Sequence, residues 1–452
     1  MIEKLVDEFS SKCDYVDARV HDIVKETIML ENNDTSNMFL SNKSYGVRVL
    51  FKGGWGLVYS YDFTKARSVF EKALKIAKIS SGKEKTDFKK PASVKDDKKI
   101  IYKIDPFSIN PTDKISTLKD YESALKKDPK VKRTSLLMDN ARVNKSVYAP
   151  GININQEFTI NIFRAFVTAR EGNVIQSSNK HYSKIGGYET IQSLNLEEIT
   201  QEILERANRL LNAKAPKPER ATVVCDPMMT GLFFHEAVGH ACEADHIINK
   251  ASVLADKRSQ LIASEEVNLI DDPTIKERGF YWYDDEGVKA KPTPLITKGR
   301  LVGLMHSLKT ANQLGEEPTS NGRSMNADYP PIPRMSNTIL KPGKWSIDDL
   351  IKEVGNGYYV KGFGGGIVDP ISGQFSFGAS ECFKIINGEV SESLRDVTLA
   401  GSILKILKGI KVGKDFTKTH LTSTCGKGGQ SARVGECCPS ILIEDVVIGG
   451  SA

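Results

Sequence analysis

Between residues 235 and 240 the chain reads His235-Glu236-Ala237-Val238-Gly239-His240. Two histidines, with a glutamate directly after the first, are the minimal kit of a hydrolytic zinc site. They supply two imidazole ligands and a carboxylate placed to take a proton from water. The familiar zinc-protease helix carries H-E-x-x-H, which brings both histidines to one face. Here one more residue intervenes. Five residues of ideal α-helix turn the chain by about 500°, leaving the two side chains roughly 140° apart. A regular helix cannot aim both rings at one ion. The spacing therefore predicts a helix that bulges, rewinds or ends at this point, and a π-bulge absorbs one extra residue. Gly239, just before the second histidine, lowers the steric cost of such a distortion.

The chain has 452 residues, and that length predicts more than one domain. Hydrophobic residues make up 40%, enough for real cores. The net charge is +6, from 63 basic and 57 acidic residues. That small surplus, with no basic stripe interleaved with aromatics, argues against a nucleic-acid partner. The opening MIEKLVDEFSSK lacks the unbroken apolar core of a signal peptide. No segment approaches the roughly 20 apolar residues of a membrane span. Seven cysteines, odd in number and irregular in spacing, argue against a disulfide framework and fit a reduced cytoplasm.

Periodicity predicts an α+β, multi-domain chain: an N-terminal mixed region followed by a Gly-rich, largely β C-terminal domain that carries the metal-site helix. Ile2, Leu5, Val6 and Phe9 mark one face of a short helix. Val47, Val49 and Phe51 alternate before Gly53-Gly54, as do Trp55, Leu57 and Tyr59 after it, which predicts a hairpin. Ala66, Val69, Phe70, Ala73, Leu74 and Ala77 follow at helical period. Residues 80–100 are charged and poor in apolar groups, and read as a linker or exposed loop. A helix near 112–127, strands from about 131 to 178 with a turn at 171–173, and a long helix through Leu196–Leu210 come next. Ala215-Pro216-Lys217-Pro218 ends that helix. The expected domains are 1–80, 101–215 and 219–452. Within the last, a strand at Thr222–Val224 leads to a helix from about Thr230, and Lys298-Gly299 and Asn387-Gly388 read as turns.

A zinc ion with one position open to water needs a third protein ligand. His246 lies six residues after His240, and Cys242, Glu243 and Asp245 are near in sequence. A helix continuing past His240 would turn most of these away. Cys425, in Thr424-Cys425-Gly426-Lys427-Gly428-Gly429-Gln430, is the distant alternative and the one favoured, since a thiolate binds zinc well.

The stretch Gly231–His240 resembles the signature of the TldD/PmbA family of metalloproteases. So do Pro330–Thr338, Phe363–Gly366 with Ser372-Gly373, Ser380-Glu381 with Asn387-Gly388, Cys425–Ser431 and the closing Val446–Gly450. The likeness covers most of 220–452 and, more loosely, the N-terminal hairpin. It implies Zn2+ held by His235, His240 and Cys425, with Glu236 as general base. It also implies a two-subunit assembly around a cavity, either a homodimer or a heterodimer with a PmbA/TldE-like sister subunit. The implied substrates are short peptides or unfolded proteins. Because sister chains lack the zinc motif, the alternative is a non-catalytic regulatory or binding subunit with a structural zinc. An amidase acting on a non-peptide bond uses the same chemistry.

Gly364, Gly365 and Gly366 are the candidate substrate-binding residues, a strand edge where peptide backbone docks by β-augmentation, or else a flexible turn. Arg334 reads as the partner of a structural acid, or of a substrate carboxylate. His21, His181, His306 and His420 have no partner spacing, and Cys437-Cys438 reads as two packed thiols.

Overall fold

The computed structural model describes residues 1–82, 89–420 and 422–450. Helix α1 (Ile2–Ser10) leads into strands β1 (Tyr15–Glu31), β2 (Asp34–Phe51) and β3 (Gly54–Ser60), then helix α2 (Ala66–Ile79). The β2–β3 turn is Lys52-Gly53, both at positive φ (46° and 78°), and Gly54 already pairs with Phe51. Such a turn matches the twist of its flanking strands. Strand β4 (Val94–Lys99), helix α3 (Pro111–Leu125), strands β5 (Val131–Ala149), β6 (Ile152–Glu171) and β7 (Val174–Ile185), and helix α4 (Leu196–Asn212) follow.

Among the described residues these strands form one seven-stranded sheet in the order β3-β2-β1-β5-β6-β4, with β7 also on β6. Strands from the first sixty residues thus share a sheet with strands from 94–185. The apolar-poor segment expected as a linker contributes β4, which runs parallel to the start of β6. Its sequence VKDDKK is what a solvated edge strand tolerates, because charge on an edge blocks further pairing. Residues 83–88 of that segment lie outside the described residues.

Period-two alternation divides the sheet's faces. Val16, Ala18 and Val20 point to one side, where they bury α1 and α2 together with Tyr45, Val47 and Val49. Farther along, Ile28, Leu30, Met138 and Phe163 bury α3 and α4. Each fully buried side chain of this kind contributes about 1.5–3 kcal/mol. Gly56 allows the close approach, since a Cβ there would lie 2.0 Å from the Ala73 carbonyl of α2. On the opposite face, Tyr15, Leu50, Val147, Ile152 and Ile154 pack against Tyr283 and Leu308 of the C-terminal half.

Among the described residues the C-terminal half holds two larger sheets and two two-stranded ones. The larger runs 366–369, 374–378, 397–402, 441–450, β8 (Glu219–Cys225), 357–361, 381–386 and 389–394, with 411–412 against 441–450. The smaller, of six short strands, includes 337–340 beside 435–438 in parallel. The turns expected at Lys298-Gly299 and Asn387-Gly388 are present, with all four residues at positive φ. Helix α5 (Pro227–Phe234) packs between the two sheets. It begins at Pro227, three residues before the expected Thr230. Asp226 caps it by accepting from the Met229 amide at 2.8 Å, and Pro227 suits the first turn. Among the described residues no helix is long and apolar enough to cross a membrane.

Candidate metal centre

Helix α5 changes pitch where the motif requires it. Residues His235–Gly239 form a π-helical turn, and the His240 amide donates to the His235 carbonyl five residues back. The wider turn returns the fifth residue to the face of the first. The imidazoles stand 5.4 Å apart, centroid to centroid, at 87°. A short 3-10 turn, His240–Cys242, ends the helical path, and Glu243 is already extended. Gly239 serves the bulge in a different way from that expected. Its φ of −55° is right-handed and open to any residue. What crowds any larger residue is Met335, whose sulfur would lie 2.0 Å from an added Cβ and would have to shift.

The third donor arrives from a β-hairpin, Thr424–Lys427 paired with Gln430–Arg433. Gly428 and Gly429, at φ 57° and 73°, make its turn. Cys425 Sγ lies 3.2 Å from His240 Nε2, and one ligand atom from each of His235, His240 and Cys425 falls within 4.8 Å of the others. Donors on a tetrahedral zinc are roughly 3.3–3.8 Å apart, given metal–ligand distances of about 2.0–2.3 Å. The donor set therefore fits a zinc ion in its chemistry, and the Cys425–His240 separation lies close to that range. Burial pushes the Cys425 thiol up, but hydrogen bonds and charge from His235 and His240 outweigh it and bring the thiol down to about 5. Both imidazoles are shifted upward against the effect of burial, His240 chiefly by Glu243 and His235 chiefly by Cys425. A thiolate is the form of cysteine that a metal requires.

Glu236 is the exposed member of the group. Its side chain retains 27% exposure, and Oε2 lies 3.8 Å from His240 Nε2. It lines a cavity of ≈ 120 Å³ with His235, Phe363, Ser423, Cys425 and Glu436. Phe363 also borders a larger cleft of ≈ 660 Å³, walled by Ile175–Asn179 of β7 on one side and by Gly364, Gly366 and Ile367 on the other. Gly366–Asp369 is the terminal strand of the large sheet, and Ile367 on it is 75% exposed. Gly365, at φ 97°, turns the chain into that edge.

His246 is not in the ligand set. Its Nδ1 faces the His240 carbonyl at 3.1 Å. Among the described residues Arg334 meets no structural acid, and it does not reach open solvent. It is fully buried and donates to the carbonyls of Cys425 (2.6 Å) and Gln430 (3.2 Å), one on each strand of the cysteine hairpin. Sequence reasoning passed over Glu436, which stands 4.0 Å from His235 Nδ1, and Thr338, whose hydroxyl is 3.5 Å from the same nitrogen. No spacing rule joins them to the motif. They reach it because their strands, 337–340 and 435–438, run side by side beneath α5.

The family model of the PmbA/TldA metallopeptidase C-terminal domain matches residues 218–450, and that of domain 1 matches residues 16–77. The chain belongs to this metallopeptidase family. A metalloprotease of Methanothermobacter thermautotrophicus is 36% identical over 98% of this chain and 97% of its own. A metalloprotease of Methanocaldococcus jannaschii is 36% identical, covering 94% of each chain. A zinc metalloprotease TldD homolog of Saccharolobus solfataricus is 30% identical over 63% of each. The crystal structure of TldE from Thermococcus kodakarensis has the same fold, with a TM-score of 0.80 and 21% identity over 99% of this chain and 100% of that one. The family member described here is thus a metallopeptidase with a metal-capable His/His/Cys cluster.

Proposed function

We propose that this chain is a zinc-dependent peptidase of the cytoplasm that hydrolyses short or unfolded peptides. In this reading His235, His240 and Cys425 hold the ion and Glu236 is the general base. The observation that carries it is the convergence of the three donor side chains, two of which, His235 and Cys425, line one cavity with the partly exposed carboxylate of Glu236. When bound, zinc supplies a Lewis acid that lowers the pKa of a water molecule toward about 7. Glu236 takes the proton of the attacking water and passes it to the leaving amine, and its position at the cavity mouth suits both transfers. The Cys425 thiolate donates more charge than a third imidazole would, which tempers the Lewis acidity.

Substrate backbone adds to the free edge at Gly366–Asp369, beside Gly364 and Gly365. Two features support that docking: an open sheet edge, and a cleft that shares the Phe363 side chain with the cavity beside His235 and Cys425. Pairing with a second copy or with a PmbA/TldE-like sister subunit would enclose this cleft and exclude folded proteins.

The test compares wild type, Cys425→Ser and Glu236→Ala for zinc content and for cleavage of an unfolded peptide. The expected results are about one zinc per chain in wild type, clear loss in Cys425→Ser, and zinc retained in Glu236→Ala with cleavage reduced by about 10²–10⁴-fold. Full cleavage by Glu236→Ala would remove that residue from the mechanism. Zinc retained in Cys425→Ser would remove the thiolate from the ligand set.

A further inference from the structure

Beside the ligand set, Glu243, Asp245 and His246 also bring ligand atoms within 4.8 Å of one another. A cation from the chain itself already sits there. Lys427 Nζ lies 3.1 Å from Glu243 and 2.7 Å from Asp245, and donates to the Pro333 carbonyl at 3.0 Å. Strand geometry brings it in. Lys427 is two residues beyond Cys425 on the same strand, so period two directs both side chains to one face. The sulfur meets His240 Nε2, and the ammonium meets the carboxylate behind that ring.

Glu243 arrives from the other segment. It lies three residues after His240, where the backbone has become extended (φ −72°, ψ 122°). Its Oε2 faces His240 Nδ1 at 2.9 Å. The carboxylate is fully buried, and the Lys427 side chain is only 9% exposed. A buried carboxylate is costly without partners, and this one meets an imidazole and an ammonium. Among the described residues His235 has no equally close brace: its Nδ1 faces a hydroxyl at 3.5 Å and a carboxylate at 4.0 Å.

We infer that Glu243 and Lys427 are positioning residues for the ion: Glu243 holds His240 in the tautomer and ring orientation that leave Nε2 free to ligate, and Lys427 ties that carboxylate to the cysteine strand. One buried ion pair then sets the separation of two ligand-bearing segments that are distant in sequence. The inference rests on the zinc reading above. Carboxylates behind ligating histidines carry about 10–100-fold in metal affinity.

The test titrates zinc into metal-stripped protein against a competing chelator and records the absorption spectrum with cobalt(II). The variants are Glu243→Gln, Lys427→Met, Lys427→Arg and Asp245→Asn, each checked by circular dichroism. Glu243→Gln is expected to bind zinc about 10–100-fold more weakly and to shift the cobalt bands. Lys427→Met should weaken binding by a smaller factor, and Lys427→Arg should recover much of it. Asp245→Asn, which touches Lys427 but not His240, should remain near wild type. If Glu243→Gln fails to fold, the Lys427 pair decides: a weak Met variant with a recovered Arg variant supports the inference, and equal affinities overturn it. Wild-type affinity and spectra in Glu243→Gln and Lys427→Met overturn the inference and leave the zinc reading standing. A wild type that binds neither zinc nor cobalt overturns both.

Discussion

At the scale of single residues, the motif forces a local geometry and the surroundings accept it at one atom. The expectation that the helix bulges, rewinds or ends here followed from counting degrees around a helix, and residues 235–239 take the first of these, as a π-helical turn. The reason for Gly239 did not follow from counting, because it is set by Met335, a residue almost a hundred positions away that occupies the space of a Cβ. Gly239→Ala therefore overpacks a fully buried sulfur rather than straining the backbone. The expected loss is about 1–3 kcal/mol of stability, read from denaturant unfolding. Met335→Ala placed in the Gly239→Ala background should recover part of it by vacating the site. A Gly239→Ala variant as stable as wild type would show that Met335 moves aside freely, and the glycine would then need another explanation. Arg334 teaches the same lesson. Its type suggested a carboxylate partner, but it clamps two backbone carbonyls of the cysteine hairpin, a role that only three-dimensional neighbours reveal.

At the scale of elements, helices and hairpins were legible because their signals are local. The faces of α1 and α2 were marked by apolar spacing, and each buries the residues that the spacing picked out. Strand β4 was hidden because a charged edge strand and a solvated loop have the same composition, and only pairing with β6 separates them. The free edge at Gly366–Asp369 belongs to the same class of feature. If substrate docks there through its backbone, affinity should depend on peptide amides more than on side chains. Alternate N-methylation along an unfolded peptide substrate is expected to raise KM several-fold at the positions that face the edge, while swaps between similar side chains change it little. The measurement is initial-rate kinetics across an N-methyl scan. A flat scan, with KM following side-chain identity instead, would move recognition from the strand edge to the walls of the cleft.

At the scale of the whole molecule, the sequence gives least warning at the join between the first sheet and the C-terminal half. Strand β1 alternates Val16, Ala18 and Val20 with Asp17, Arg19 and His21, the pattern of a strand with one face in water. That polar face is instead buried: Asp17 and Arg19 have no exposure and His21 has 2%. Arg48 bridges Asp17 (2.5 Å) and Glu286 (2.8 Å), and Asp285 takes Lys145 (2.8 Å) and faces His21 (3.6 Å). Alternation reports polarity, not solvent, so a polar layer between two halves reads as a surface. The layer has a consequence for acid stability. Burial, followed by the charge of Lys145, lowers His21 to about 4 despite the pull of Asp285. Folded His21 is therefore neutral where its unfolded counterpart, with a pKa near 6.5, takes up a proton. A lowered folded pKa means that the unfolded chain binds more protons as pH falls, so the contribution of His21 is full above about pH 6.5 and drains away toward pH 4. Other buried carboxylates titrate over the same range with opposite sign, Asp271 among them, raised to about 6 by burial. The informative quantity is accordingly a difference between two proteins. The stability gap between wild type and His21→Gln should be constant from pH 8 to 7. It should then shift against wild type by up to roughly 3 kcal/mol between pH 6.5 and 4, at about 1.4 kcal/mol per pKa unit. Urea unfolding of both proteins across that range makes the check, and a gap that does not change with pH would mean that His21 takes up its proton in the folded state as readily as in the unfolded one.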